Sequence, residues 1–131
     1  MTFTQDDLNF FSNFTAATLN TLHALGCGIG WRVEYVQTLP DRPRSRALCD
    51  LKGKRMTFTF WLFDEYDAAQ IRDVWLHELG HAVLESKKRL AEGVDPHGAA
   101  FQMVFDDLKR RYCSQFPSLD GFKLMSQRSA S

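Results

Sequence analysis

The sequence predicts an α+β domain: one helix, a small three-stranded sheet, antiparallel or mixed, and then two further helices. Three observations predict it. Apolar residues recur at helical spacing from Thr4 to Ala24, the period shortens to two between Trp31 and Phe63, and helical spacing returns from about Asp67. With 131 residues the chain has room for one domain with a real hydrophobic core. Residues 1–125 are read as that single domain, and the small polar residues 126–131 as a fraying tail.

The first helix is expected to be capped by Thr4, with Asp7 three residues later in a capping-box position. Leu8, Phe11, Thr15, Leu19 and Leu22 form its expected buried stripe, and Gly26, Gly28 and Gly30 then break the chain. Trp31, Val33 and Tyr35 alternate with Arg32 and Glu34 as a first strand. After the loop Pro40-Asp41-Arg42-Pro43, Arg46 to Leu51 reads as a second strand, Lys52-Gly53-Lys54 as a hairpin turn, and Met56 to Phe63 as a third strand. That third strand puts Met56, Phe58, Phe60 and Leu62 on one face and Thr57, Thr59, Trp61 and Phe63 on the other. Both faces are therefore covered, or one of them lines a groove. On the second reading Trp61 and Phe63 wall a substrate cleft, and an edge strand there can pair with an extended peptide.

The next helix is expected from about Asp67 to Leu90, with Ala68, Ile71, Trp75, Leu79 and Ala82 on one arc. A break follows at Gly93-Val94-Asp95-Pro96, where Asp95 suits an N-cap and Pro96 the first helical position. The last helix is expected from Pro96 to Cys113, turning His97, Ala100, Phe101, Val104, Phe105 and Leu108 inward.

Sixteen basic and 16 acidic residues leave no net charge, which argues against a dedicated nucleic-acid binder. The basic runs at Arg42, Arg44 and Arg46, at Lys52, Lys54 and Arg55, at Lys87, Lys88 and Arg89, and at Lys109, Arg110 and Arg111 read as solvated faces. Three widely spaced cysteines (Cys27, Cys49, Cys113) form no CxxC pair, so neither a zinc ribbon nor a redox motif is available, and a reducing compartment is expected. The first residues lack the basic region and apolar run of a signal peptide, and no stretch is apolar enough to span a bilayer. The expectation is a cytoplasmic protein with no membrane partner.

The segment His77-Glu78-Leu79-Gly80-His81 is an HExxH motif. On a helix, residues four apart lie one turn apart on nearly the same face, so two imidazoles can share one tetrahedral metal ion. Glu78 is turned by about 100° from His77 and can stand beside the metal without ligating it, placed to take a proton from a bound water. His77 and His81 are thus candidate zinc ligands and Glu78 the candidate general base. A catalytic zinc needs a third protein ligand and an open position. The metzincin spacing is excluded, since it calls for Gly at Leu84 and a ligand at Lys87. The remaining candidates are Glu85, Glu92, Asp95 and His97. Glu85 continues the same helix one turn beyond His81, whereas His97 opens the next helix at the head of its apolar stripe, which makes it the better candidate.

His77-Glu78-Leu79-Gly80-His81-Ala82 followed by Asp95-Pro96-His97-Gly98-Ala99-Ala100-Phe101 resembles the SprT-like, or Spartan-type, metallopeptidase domain. The resemblance spans about Thr4 to Tyr112, and its two histidine segments are the specific part. It implies a zincin-like fold, in which a helix and a small sheet precede the HExxH active-site helix and a third-ligand helix follows. It also implies Zn2+ held by His77, His81 and His97, with Glu78 catalytic and with Gly98 and Phe101 packing the third-ligand helix. The activity implied is hydrolysis of peptide bonds in a protein or peptide substrate, in this family often a DNA-associated protein. Many relatives carry a C-terminal four-cysteine zinc ribbon; no such cysteines follow His97 here, so a minimal catalytic core is expected and DNA itself has little support as a partner. The alternatives are a repressor-cleaving protease of the ImmA/IrrE type, with Glu92 as third ligand, and a zinc-binding interaction domain that cuts nothing. A tyrosine or an arginine is expected to steady the oxyanion, with Tyr66 and Tyr112 as possible tyrosines. His23 and the cysteines are read as structural.

Overall fold

The computed structural model describes residues 3–86 and 98–112. Within them the chain is α+β, with four helices and a three-stranded mixed sheet. The expectations placed on Lys87, Leu90, Glu92, Gly93, Asp95, Pro96, His97, Cys113 and residues 126–131 lie outside the described residues.

Helix α1 runs Gln5–Ala24. Its start is the expected reciprocal cap: the Asp7 N–H donates to Thr4 Oγ1 at 3.1 Å and the Thr4 N–H to Asp7 Oδ2 at 2.8 Å. Its end is a Schellman motif, in which the Gly26 N–H donates to the His23 carbonyl and the Cys27 N–H to that of Leu22, both at 3.0 Å. Gly26 sits at φ 79°, the left-handed conformation this ending requires. The buried stripe differs from the expected one. Phe10, Phe11, Phe14, Thr18, Thr21 and Leu22 face the core, and Leu8 is 50% exposed. Three phenylalanine rings carry more apolar area than the Leu8 side chain, and they turn the helix so that Phe14 rather than Thr15 lies at the centre. Phe14 packs edge-on to Phe58 and Phe63 at ring distances of 5.1 and 5.2 Å.

Strands β1 (Arg32–Val36), β2 (Ala47–Asp50) and β3 (Arg55–Thr59) pair in the order β1-β3-β2. β1 runs parallel to β3, and β2 forms an antiparallel hairpin with it. The hairpin turns at Lys52-Gly53-Lys54 as expected, with Lys54 at φ 51° and the Gly53 N–H bonded to Asp50 Oδ1 at 3.0 Å. The third strand is shorter than expected. It stops at Thr59, and helix α2 (Phe60–Glu65) takes the remaining residues. Thr59 ends the ladder by giving both its N–H (2.9 Å) and its hydroxyl (2.8 Å) to the Arg46 carbonyl. The successive residues Leu62 and Phe63 are then both fully buried, which a strand with one covered face does not permit. A continuous apolar run hides this change of period, so spacing alone could not locate the boundary.

Helix α3 (Ala68–Ser86) starts where expected. Asp67 and Gln70 cap it reciprocally, at 2.8 and 3.0 Å. Ile71, Trp75, Leu79 and Ala82 are fully buried, while Ala68 is exposed at the first turn. The Trp75 indole N–H donates to Thr18 Oγ1 at 2.8 Å, fixing α3 against α1 inside the core. Helix α4 (Ala99–Tyr112) packs along α3 through buried Phe101 and Leu108. Gly80 makes this possible. A Cβ there would stand 2.9 Å from Phe101 Cε2, so the close approach at Gly80 is that of an aromatic ring and not of a second backbone.

Candidate metal centre

The buried arc of α3 decides where the HExxH side chains point. With Trp75, Leu79 and Ala82 facing the core, His77 and His81 emerge half-buried on the opposite flank. Their Nε2 atoms stand 3.1 Å apart. One ion at zinc–imidazole bond lengths of about 2.0–2.1 Å reaches both, with about 100° between the two bonds, which is close to tetrahedral. The donor set suits zinc as well as the geometry does. Phe101 of α4 holds both rings, with centroids at 4.8 Å from His77 and 4.7 Å from His81, and it stacks on the latter. Phe105 flanks His77 at 6.3 Å.

Glu78, one residue on from His77, is buried on the sheet side of the same helix. Burial pushes its carboxyl up from 4.5 to about 7, against the opposing pull of the Arg42 and Arg46 guanidinium groups. A neighbouring divalent cation would draw it back down. His77, Glu78 and His81 open onto one cleft of about 790 Å³. Its other wall is β2 and the loop before it, from Arg42 to Cys49.

β2 is an edge strand. The Arg46 carbonyl accepts from Thr59, so residues 46, 48 and 50 turn their backbone groups toward β3, and Ala47 and Cys49 turn theirs outward. Among the described residues no strand pairs with that outer edge.

Three of the four predicted site residues therefore come together: His77, Glu78 and His81. The fourth, His97, lies outside the described residues, as do Glu92 and Asp95. Among the described residues no third His, Cys, Asp or Glu completes a metal cluster. Glu85, a weaker candidate, faces a separate hollow with Gly28, Trp31 and Lys54.

The expectation that Trp61 and Phe63 wall the cleft is corrected. Both sit on α2, Phe63 is fully buried in the core, and Trp61 leans on Tyr66 at 5.7 Å. Neither Tyr66 nor Tyr112 lines the cleft: Tyr66 lies beneath the Arg46 guanidinium, 5.3 Å from it, and Tyr112 takes a hydrogen bond from Arg111 at 3.3 Å. The cleft residues that sequence reading passed over are Arg42, Arg44 and Arg46, read as a solvated run. The one signal in the chain was three alternating arginines placed directly before a strand.

Cys27 and Cys49 are free thiols, and burial, with Glu78, Cys27 and Asp50 adding to it, pushes the Cys49 thiol above its ordinary range. No helix among the described residues is long and apolar enough to cross a membrane. No protein-family model matches the chain, and no curated protein or solved structure matches it either.

Proposed function

We propose that this chain is a zinc-dependent metalloendopeptidase of zincin-like fold, with Zn2+ held by His77, His81 and His97 and Glu78 as general base. The observation that carries the reading is the pair of imidazole nitrogens 3.1 Å apart, beside the buried Glu78 carboxyl, on an open cleft. A purely structural metal site gains nothing from such a carboxyl. Phe101 supports His97 as the third ligand, because it belongs to the same Asp-Pro-His-Gly-x-x-Phe segment and packs on both other histidines.

Zinc, when bound, lowers the pKa of its water to about 7 and polarises a carbonyl oxygen. The chain's own residues supply the rest. Glu78, with a carboxyl near neutrality, accepts the proton of the attacking water and returns it to the leaving amine. Phe101 fixes the orientation of the two imidazoles. The outward N–H and C=O groups of Ala47 and Cys49 offer an extended peptide a strand to pair with, along the wall facing Glu78. An arginine of the Arg42–Arg46 segment is the candidate for steadying the oxyanion, since these arginines line the cleft and Tyr66 and Tyr112 do not.

The test is hydrolysis of dye-labelled casein by the zinc-loaded chain, wild type against Glu78→Gln. The reading expects a loss of about 10²–10⁴-fold in the variant, the usual contribution of a general base. Equal rates in the two proteins contradict it.

A further inference from the structure

The basic residues of this chain are not alike. Arg55 pairs with Asp50 and Glu34, Arg110 and Arg111 pair with Asp107, and Lys109 approaches Asp73. Arg42, Arg44 and Arg46 form no ion pair with any described residue, and all three line the cleft that holds His77, Glu78 and His81. They stand on an ordered turn. The Arg42 N–H donates to the Leu39 carbonyl at 3.2 Å, the Ser45 N–H donates to that of Arg42 at 3.0 Å, and Leu39 is buried beneath. The Arg46 guanidinium rests over the Tyr66 ring, which Trp61 braces in turn.

On the opposite wall the buried Glu78 carboxyl lies within electrostatic reach of Arg42 and Arg46 but forms no ion pair with them, and the other acid, half-buried Asp73, already has Lys109 at 3.7 Å and Arg72 at 3.9 Å. Arg46 also directly precedes Ala47, whose backbone faces outward from the edge strand, so a peptide paired there carries its side chains past the arginines.

We propose that Arg42, Arg44 and Arg46 form a subsite for acidic side chains, so that this chain prefers to cut beside Asp or Glu residues of a peptide. The proposal rests on the protease reading above. A peptide fits the observations better than a nucleic acid does. The arginines sit inside a cleft along a strand edge, and the whole chain carries no net charge.

The test has two arms. In the first, the zinc-loaded full chain and its R42Q/R44Q/R46Q variant digest a peptide library, and mass spectrometry reads the cut sites. Each exposed charge contact is worth a factor of about two to five, so the ratio of acidic to neutral peptides cut falls about tenfold or more in the variant. Using the ratio cancels any effect of the arginines on Glu78. Cuts with no acidic preference, or a preference that survives the substitutions, overturn the proposal. The single reversal Arg44→Glu, at an exposed position, is expected to lower the same ratio should the triple variant fail to fold or, by losing the oxyanion-steadying arginine, fail to cut; an unchanged ratio overturns the proposal.

In the second arm, Glu78→Gln chains with and without the triple substitution bind a labelled Glu-rich peptide, a neutral peptide and a single-stranded oligonucleotide. The Glu-rich peptide binds tightest and loses about tenfold on substitution. If that holds while the wild type cuts no peptide, the protease reading fails and the acidic subsite stands. An oligonucleotide that binds more tightly than the Glu-rich peptide, through the same arginines, overturns the proposal in favour of nucleic acid.

Discussion

Replacing Glu78 by glutamine removes a charge that the folded chain holds at a cost. The carboxyl has its ordinary value of 4.5 when the chain is unfolded and about 7 when it is buried in the fold. A raised carboxyl pKa means that the folded state binds the proton more tightly than the unfolded state. The stabilisation is therefore complete below 4.5, falls as pH rises toward 7, and is gone above it. At about 1.4 kcal/mol per unit, the penalty on the metal-free chain at alkaline pH is about 3 kcal/mol. Glutamine escapes that penalty but brings its own hydrogen-bonding cost, which does not change with pH. The informative quantity is thus the difference between variant and wild type at two pH values. From about pH 5 to about pH 8.5 it should move by about 2–3 kcal/mol in favour of Glu78→Gln. Urea unfolding followed by tryptophan fluorescence, with chelator present, reads this as a relative midpoint shift of about 1–2 M. Added zinc should narrow the gap, since a cation beside Glu78 favours its ionised form. A difference that does not change with pH, or that changes in the opposite direction, would refute the burial argument for this carboxyl.

Gly80→Ala gains about 1 kcal/mol of helix propensity but places a Cβ 2.9 Å from Phe101 Cε2, so a net loss of about 1–2 kcal/mol in thermal unfolding is expected, with weaker zinc retention. Adding Phe101→Leu should recover part of the stability; a stabilised Gly80→Ala single variant contradicts the packing. On β2, Ala47→Pro removes an outward N–H and should fold normally while losing peptide cleavage, whereas Leu48→Pro removes a ladder bond to β3 and should cost about 1–3 kcal/mol. Equal stability of the two proline variants contradicts the assigned register. Thr18→Val removes the hydroxyl that accepts from the Trp75 indole, and urea unfolding should show a loss of about 1–2 kcal/mol.

What could be read from the chain was what depends on neighbours a few residues apart. The Thr4–Asp7 cap, the Lys52–Lys54 turn and the turn of helix joining His77 to His81 are local, and each is where the spacing predicted it. What could not be read depends on partners distant in sequence. The face of α1 was decided by rings on β3 and α2 meeting Phe14, which outweighed the stripe beginning at Leu8. The end of β3 was decided by the Arg46 carbonyl capturing Thr59, just before Phe60-Trp61-Leu62-Phe63, four apolar residues that fit a continued strand as well as a helix. The arginines of the cleft looked like any solvated run, because only the crossover from β1 to the far edge of the sheet carries them alongside Glu78. Gly80 stands inside the HExxH motif, and nothing near it in the chain shows that it seats the ring of Phe101.

Metal content of the purified chain, read by mass spectrometry after zinc is offered, decides whether His77, His81 and His97 hold one ion. Wild type would be compared with His77→Ala, His81→Ala, His97→Ala and Glu92→Ala. One zinc per chain is expected in the wild type and in Glu92→Ala, with loss in each of the three histidine variants. A wild type that holds no zinc, or histidine variants that retain it in full, would contradict the three-histidine site.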